Sequence, residues 1–364
     1  ISDGNKVAVD GGSFVLTNVR MTETIFDNGT TDAPITINNS NLKLAEKAGF
    51  AGTAHYELGG EQGKIAHITM EDGSVAADGS SLTINNGSDL TIDADTMYKL
   101  GHDGSGYTYT SGGKFEMDLS GDGKIYVDRK SNTTDADYSE TLVFTSDNSS
   151  FVGQYLQSNR KTEFEGGKFF NGQNLITQNS SVDFDNSAEI LGQNRIDAGS
   201  SFNINDAVIG ETDKTRIVLN GGDLNINDTA FDLNIGIENT VAGGNINNAT
   251  TGTVTISANQ QGYTGNYNQT GSGTTTVNAG NSFFGGKNTI TNGIVDLTQT
   301  KQDGETIIGA ILAGDNTISA NGVMKIGDYT DTASITGVVV NDVVGDNSGL
   351  VLNTADKNNK NLDI

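Results

Sequence analysis

Apolar and polar residues alternate along most of this chain in short runs that end in Asn, Asp or Gly. Each run places two apolar side chains on one face, as the period of two of a β-strand requires. Four such runs are Ser81–Asn86, Asp89–Ala94, Ser201–Asp206 and Asp223–Asp228. Because Asn, Asp and Gly tolerate the left-handed backbone of a sharp corner, the pattern predicts very short strands joined by corners.

A Gly-x-Asn-x-Ile frame repeats along the second half of the sequence at steps of about 20 to 30 residues. It occurs at Gly172–Ile176, Gly192–Ile196, Gly286–Ile290 and Gly314–Ile318. A repeat built from short strands and polar corners predicts an all-β fold, a parallel β-solenoid whose coils stack about 4.8 Å apart. Asn at equivalent corners is expected to form hydrogen-bonded ladders. The alternative is an array of β-sandwiches, which would need longer strands and turns that contain Pro.

The chain divides into three regions according to where this pattern is present and where it breaks. The coils of the first region include one predicted short helix, Asn41–Phe50, with Asn39 or Ser40 as its cap. The middle region is rich in Tyr and reads as a β-hairpin insertion, with Lys114–Leu119 and Lys124–Arg129 as one predicted hairpin. The predicted division is 1–96 for the N-terminal coils, 97–165 for the insertion and 166–364 for the C-terminal solenoid.

The repeats resemble the passenger regions of bacterial autotransporters. The resemblance rests on a Gly-x-Asn-Thr-Ile frame followed by Gly and an apolar-x-apolar strand, clearest at Gly286–Leu297 and Gly314–Ile326. It implies a right-handed parallel β-helix that is extracellular, is held at the bacterial cell surface and acts as an adhesin or biofilm factor. The Gly-Asp-Ser-Gly motif of the serine-protease members of this family is missing.

Composition and charge narrow the function further. The chain has 21 Lys and Arg against 46 Asp and Glu, a formal charge of -25, and such a charge repels nucleic acid. It has no Cys, which excludes disulfides and Cys-based catalytic or metal sites. No run of eighteen apolar residues predicts a transmembrane helix. Only 34% of the residues are hydrophobic, which fits the narrow core of a solenoid.

One segment of the middle region is similar to the start of a calcium-binding loop. Asp118, Ser120 and Asp122 supply oxygen atoms at alternate positions, and Gly123 allows the turn. The twelfth position is Arg129, where a calcium loop needs a bidentate Glu, so the alternative is a hairpin turn that uses Asp-Gly for its geometry. Calcium is therefore the one possible cofactor, and no other is expected.

Tyrosines of the middle region are the candidate binding residues. Tyr107 and Tyr109 lie two positions apart, so they share one face of a strand, and Tyr126 lies on the next predicted hairpin. Such a face is either a platform for a sugar or a protein partner, or a pair that packs on a neighbouring strand.

We therefore expect an extracellular structural and adhesive solenoid that contacts glycans or proteins of a host or bacterial surface, and not an enzyme. The first alternative is a self-assembling surface filament or S-layer-like subunit, because exposed strand edges at the ends of a solenoid can template addition of further copies. The second is a polysaccharide lyase or hydrolase that uses paired carboxylates. No triad motif supports catalysis, and the sequence has no Trp for sugar stacking.

Overall fold

A computed structural model of the chain forms two compact units, residues 1–192 and 193–364. The structure describes residues 5–7, 12–27, 34–53, 55–60, 63–94, 96–102, 107–128, 141–210, 214–227, 233–239, 243–258, 263–277, 285–297, 300–303, 306–309, 314–327, 340–344 and 349–353.

The first unit consists of short strands. They are β1 (Asn5–Val7), β2 (Gly12–Phe14), β3 (Val19–Thr22), β4 (Thr24–Asp27), β5 (Ile35–Ile37), β6 (Ser40–Ala45), β7 (Gly49–Ala51), β8 (His55–Leu58), β9 (Ala66–Met70), β10 (Val75–Ala76), β11 (Ser81–Ile84), β12 (Asp89–Ile92), β13 (Met97–His102), β14 (Tyr107–Gly113), β15 (Asp118–Gly121), β16 (Lys124–Asp128), β17 (Leu142–Phe144), β18 (Gln154–Ser158), β19 (Lys161–Glu165), β20 (Gln173–Thr177), β21 (Ser181–Asp185) and β22 (Ala188–Ile190).

The second unit continues with the same kind of element. Its strands are β23 (Gln193–Asp197), β24 (Ser201–Ile204), β25 (Ala207–Ile209), β26 (Arg216–Asn220), β27 (Asp223–Ile226), β28 (Leu233–Asn239), β29 (Asn245–Asn248), β30 (Thr253–Ala258), β31 (Asn266–Gln269), β32 (Thr274–Val277), β33 (Lys287–Ile290), β34 (Ile294–Leu297), β35 (Thr300–Asp303), β36 (Thr306–Gly309), β37 (Asp315–Ser319), β38 (Val323–Gly327), β39 (Val340–Val344) and β40 (Gly349–Asn353).

Each unit is a parallel β-solenoid of right-handed type, so the predicted fold class is confirmed. In the first unit, successive coils add one strand each to the sheets β1-β4-β7-β10, β2-β5-β8-β11-β15 and β3-β6-β9-β12-β16-β18-β20. In the second, the two long sheets run β24-β27-β29-β31-β33-β37-β39 and β23-β26-β28-β30-β32-β34-β38-β40. The pairing is in register from coil to coil, as where Leu82 of β11 lies between Tyr56 and Leu119.

Aromatic side chains stack inside the first unit. Phe115, Phe144, Phe164 and Phe184 lie one after another on adjacent coils, with ring centroids 5.1, 4.7 and 5.6 Å apart. Tyr155 packs on Phe170 in the same core, and all these rings are buried. Because register places the same core position of every coil in one column, four inward phenylalanines become one stack.

The core of the second unit includes a satisfied polar network. The Tyr267 hydroxyl donates to Gln269 Oε1 at 2.7 Å and lies 2.7 Å from the Thr275 hydroxyl oxygen, while Asn248 Nδ2 donates to that hydroxyl at 2.8 Å. Burial raises the pKa of Tyr267 to about 12. Such a buried network is tolerated because its members satisfy one another.

The Gly-x-Asn frame has two structural causes. A Cβ atom at Gly172 would lie 2.0 Å from the carbonyl oxygen of Gly153 on the preceding coil, so only Gly fits there. The Asn of the frame points inward: Asn174 is buried, and its Nδ2 donates to the carbonyl oxygen of Phe170 at 2.9 Å. The frame therefore marks a corner where two coils touch and where an inward amide satisfies a buried carbonyl.

Asparagine ladders run along the outer face of the second unit. Asn225 Nδ2 donates to Asn203 Oδ1 at 2.6 Å, Asn247 to Asn225 at 2.8 Å and Asn268 to Asn247 at 2.9 Å. The predicted ladders therefore exist, but this one lies on the strands β24, β27, β29 and β31, and not at corners. The Asn excess is thus also an excess of outward strand positions.

The predicted helix over Asn41–Phe50 is wrong. The segment forms β6 and β7. Leu42 and Leu44 are buried and the residue between them is exposed, as the period of two of a strand requires. Glu46 and Lys47 have φ values of 44° and 70°, so the chain turns a corner where a helix would have to continue. The two leucines face one core, and their spacing of two residues cannot serve one face of a helix.

The predicted hairpin of Lys114–Leu119 with Lys124–Arg129 is also wrong. β15 pairs in parallel with β11, and β16 pairs in parallel with β12 and β18, so both are coil strands; Arg129 lies outside the described residues. The antiparallel hairpin of this region is formed by β13 and β14. Alternation predicts strands, but it does not distinguish a parallel neighbour on the next coil from an antiparallel neighbour in a hairpin.

We predict that Gly172→Ala destabilises the first unit by about 2–3 kcal/mol, because its methyl group would overlap a backbone carbonyl. The midpoint of urea unfolding measures this loss. Gly63→Ala is the control in the same unit: a Cβ atom at Gly63 has no other atom within 4 Å, so only its φ of 79° is strained, at about 1 kcal/mol. Equal losses in the two variants would contradict the close approach of the coils.

Stacking also places like charges together on the outer face of the first unit. Glu163 lies opposite Asp183, and Glu165 lies opposite Asp185, in the register of β19 and β21. Burial, and then the charges of Glu165, Asp185 and Asp183, raise the pKa of Glu163, while Lys161 lowers it. A raised pKa means that the folded state binds this proton more tightly than the unfolded state does, so the ionised carboxylate costs stability at neutral pH.

We therefore predict that Glu163→Gln raises the free energy of unfolding at pH 7 by about 0.5 kcal/mol, a value reduced for solvent screening. The gain should vanish as the pH falls below about 4.3, where Glu is protonated in both states. Chemical denaturation over this pH range tests it. Glu189→Gln is the matched control, because Glu189 lies 3.4 Å from Lys168 and should gain nothing on neutralisation. A Glu163→Gln gain that persists at pH 3 would argue against the electrostatic cause.

Candidate functional site: the cleft beneath the tyrosine hairpin

One sheet of the first unit is covered on its outer side as well as on its inner side. Phe26 and Phe50 face the core and stack with centroids 5.6 Å apart, while Ile25 and Val75 on the opposite face are also buried. The sheet β1-β4-β7-β10 therefore has a second apolar layer above it. Two adjacent apolar residues, Ile25 and Phe26, are the sequence signal of a strand buried on both faces. A search for strict alternation of apolar and polar residues does not detect this signal.

The second layer is the hairpin of β13 and β14, which we call the tyrosine hairpin (residues 97–102 and 107–113). Tyr98 and Leu100 on β13, and Tyr107 and Tyr109 on β14, pack on the cluster formed by the buried outer residues of the sheet. The hairpin begins as a continuation of the sheet, since Tyr98 N donates to the carbonyl oxygen of Ser74 at 3.0 Å. Its position is thus fixed by backbone pairing at one end and by apolar packing along its length.

Tyr109 is one of the residues that hold the hairpin down. Its ring meets the ring of Tyr98 edge to face at 6.2 Å, and Lys47 Nζ lies 5.4 Å from its centroid. Burial, and then the charge of Glu23, raise the pKa of Tyr109. The ring therefore serves as packing and as a cation–π partner.

Tyr107 connects the hairpin to the sheet through a polar contact. Its hydroxyl donates to a carboxylate oxygen of Asp27 at the end of β4. Burial, followed by this hydrogen bond and the charge of Asp27, raises the pKa of Tyr107, so the phenol stays protonated and can donate. A charge-assisted bond of this kind is stronger than one between neutral groups.

A cleft of ≈ 480 Å³ lies between the hairpin and the sheet. Its lining includes the row of the sheet next to Ile25 and Val75, where Asp27 pairs with Ala51 and Ala77 comes next on the neighbouring coil. Ala51 is itself buried beneath the hairpin, and Ala77 is partly exposed. Small side chains in this row keep the cleft open below the hairpin. The lining is Asp27, Ala51, Gly52, Ala77, Asp78, Lys99, Leu100, Gly101, Tyr107 and Glu116.

The structure separates the three tyrosines that the sequence singled out. Tyr107 lines the cleft, and both Tyr107 and Tyr109 pack on the outer cluster of the sheet. A role for either tyrosine in binding stays a prediction. Tyr126 lies on β16, half-buried, in register with Thr91 and Leu156, and is not part of the cleft lining. A role for Tyr126 in binding stays a prediction.

The predicted calcium ligands lie on another sheet. Asp118 is exposed and accepts a hydrogen bond from Asp147 N at 2.9 Å, and the hydroxyl oxygens of Ser120 and Thr83 are 2.7 Å apart. Asp122 is exposed at the corner after β15. Within the ranges that the structure describes, no three His, Asp or Glu side chains are grouped to hold a metal ion. Calcium binding by this segment stays a prediction.

No protein-family profile, no curated protein and no solved structure matches this chain. The parallel β-solenoid is therefore the part of the resemblance to autotransporter passengers that the structure supports. Over the described residues there is no helix long and apolar enough to cross a membrane.

We predict that Tyr107→Phe loosens the tyrosine hairpin, because it removes the hydrogen bond to Asp27 and leaves the ring in place. Bonds to charged groups contribute about 1.5–3 kcal/mol. Hydrogen exchange of the β13 and β14 amides should speed up accordingly. Tyr126→Phe removes a hydroxyl from a half-buried tyrosine outside the hairpin and should leave that exchange unchanged. Unchanged exchange rates in the Tyr107→Phe variant would contradict a hydrogen bond that holds the hairpin on the sheet at this contact.

Proposed function

We propose that the protein is an extracellular structural and adhesive solenoid of a bacterial cell surface, and that the cleft beneath the tyrosine hairpin is its ligand-contact site. The single observation that carries the proposal is the hairpin itself, an antiparallel element laid on a parallel solenoid so that a lined cleft remains. Coil strands complete their own core and need no such addition. The volume of the cleft falls in the range of about 300–1,000 Å³ that is usual for small-ligand sites.

The lining of the cleft supports adhesion to a polar surface ligand such as a glycan. Ala77 and Leu100 give the lining partly exposed apolar groups for the flat side of a sugar, and the carboxylates of Asp78 and Glu116 give hydrogen-bond acceptors for its hydroxyl groups. The proposed location at the cell surface rests on the resemblance to autotransporter passengers, which is based on the Gly-x-Asn frame and the solenoid. The proposed role is structural and adhesive, and not enzymatic.

Retention of the full chain on a panel of immobilised host and bacterial surface polysaccharides tests the proposal. We expect saturable retention that falls by about tenfold in an Asp78→Asn/Glu116→Gln variant, since both carboxylates line the cleft. An Asp315→Asn variant, changed at an exposed strand position of the second unit, is the control and should be retained like the parent chain. Retention on none of the surfaces would refute adhesion to glycans, and release of new reducing or unsaturated ends would establish a polysaccharide enzyme instead.

A further inference from the structure

We propose that Asn86 is a site of spontaneous covalent modification, where the corner between β11 and β12 converts to aspartate and isoaspartate and releases ammonia. The reaction needs an asparagine followed by a residue whose backbone nitrogen can reach the side-chain amide carbon. Glycine permits this approach best, because it has no Cβ atom to crowd the nitrogen. Asn86 and Gly87 form such a pair. The proposal is independent of the adhesive function and of the cleft.

Asn86 and Gly87 are the two central residues of a tight turn. Ser88 N donates to the carbonyl oxygen of Asn85 at 2.9 Å, which closes the turn, and Gly87 has a φ of 87°. Asn86 and Gly87 are exposed, whereas Ser88 is buried and its hydroxyl oxygen accepts from Ala66 N at 3.1 Å. Water and hydroxide therefore reach both reacting groups while the end of the turn is held in place.

The backbone nitrogen of Gly87 is the nucleophile of the reaction. Within the ranges that the structure describes, neither this nitrogen nor the side-chain amide of Asn86 forms a hydrogen bond to another protein group. Neither group therefore has to break a protein hydrogen bond before the two meet.

The other Asn-Gly pairs of the described chain are held differently. In three of them the glycine nitrogen already donates a hydrogen bond, and in the fourth the glycine is buried against the preceding coil. The first kind comprises Asn220–Gly221, Asn292–Gly293 and Asn321–Gly322, and the second is Asn171–Gly172. Asn321 is exposed like Asn86, but Gly322 N donates to a carbonyl oxygen at 2.9 Å. The unengaged nitrogen, and not exposure alone, therefore distinguishes Asn86.

The conversion proceeds in two balanced steps. A base removes the proton of Gly87 N, the nitrogen attacks Cγ of Asn86, and the amide group takes up a proton and leaves as ammonia, which closes a succinimide ring. Water then opens this ring. Cleavage between the nitrogen and Cγ leaves aspartate, and cleavage between the nitrogen and the backbone carbon leaves isoaspartate, whose main chain is longer by a methylene group. The net change is uptake of water and loss of ammonia, so no other reagent is needed.

The solenoid already contains the aspartate product in turns of the same kind. Asp72–Ser74 and Asp78–Ser80 are Asp-Gly-Ser segments with glycine φ values of 73° and 82° and buried serines. In each, the serine nitrogen donates to the carbonyl oxygen three residues earlier, as in the turn of Asn86. Aspartate at this position is therefore compatible with the fold. Isoaspartate lengthens the main chain of a corner whose strands are fixed by register, so it loosens the corner.

Peptide mapping of the full chain by mass spectrometry, after incubation in mild acid and in mild alkali, tests the proposal. We expect Asn86 to gain the mass that exchange of NH2 for OH gives, and to do so faster in alkali, where the nitrogen loses its proton more readily. The rate at Asn86 should exceed that at Asn321 by about fivefold or more, the factor that one net hydrogen bond on the nitrogen of Gly322 represents. Enzymatic methylation of isoaspartate identifies the longer product. No mass change at Asn86, or equal rates at all the Asn-Gly pairs, would overturn the proposal.

Variants separate the chemistry from its structural consequence. Asn86→Gln should abolish the modification at this corner, because the longer side chain would have to close a larger ring. Asn321→Gln is the matched control at an exposed Asn-Gly pair, and it should leave the rate at Asn86 unchanged. Asn86→Asp should keep the urea midpoint of the parent chain, whereas parent chain rich in isoaspartate should unfold at lower urea. Equal midpoints for these two samples would refute the loosening of the corner.

Discussion

The structure depends on one constraint, the parallel stacking of coils in register. Each residue on a sheet has the equivalent residue of the neighbouring coil about 4.8 Å away, so its side chain must be compatible with the side chains at the same position of the adjacent coils. Phenylalanines inside the first unit meet this demand by stacking, with the rings of Phe144 and Phe164 only 3° from parallel. Glycines meet it at corners, where even a methyl group would strike the carbonyl of the adjacent coil, as at Gly172.

The same constraint explains why the outer faces differ in chemistry. An amide can donate to one neighbour and accept from the other, so Asn203, Asn225, Asn247 and Asn268 form a continuous ladder. A carboxylate can only accept, so two in register repel unless a cation lies between them. The set Asp147, Lys168 and Glu189 shows such a solution, with Lys168 3.4 Å from each acid. Where the neighbours on the facing strand are acidic, as for Glu163, the ionised carboxylate lowers the stability of the fold.

The period of two and the corner residues are local signals, and they were enough to predict the all-β solenoid. They did not predict which strands meet, because pairing across coils joins residues separated by about 20 or more positions and leaves no local signal. Thus the pattern of Lys124–Arg129 predicts a hairpin strand, although Lys124–Asp128 pairs with Asp89–Ile92 and Gln154–Ser158. The short helix failed for a local reason, since Leu42 and Leu44 obey the strand period within a composition that suits helices.

The cleft lies where the parallel stacking of coils is interrupted, and this supports the proposal that it is a ligand-contact site. A coil in register needs nothing beyond its neighbours, yet here the chain forms an antiparallel hairpin after β12 and returns to the coils at Phe115, ahead of β15. Tyr107 is the one predicted site residue among the described lining residues. The other lining groups come from β13 of the hairpin, from three coils and from Glu116 beyond the hairpin, which no local pattern brings together. Side chains drawn from several coils converge only through the register, so a lined cleft arises from the fold as a whole. The hairpin residues that close the cleft do not have to match the side chains of adjacent coils, so their side chains are available for contacts with a ligand.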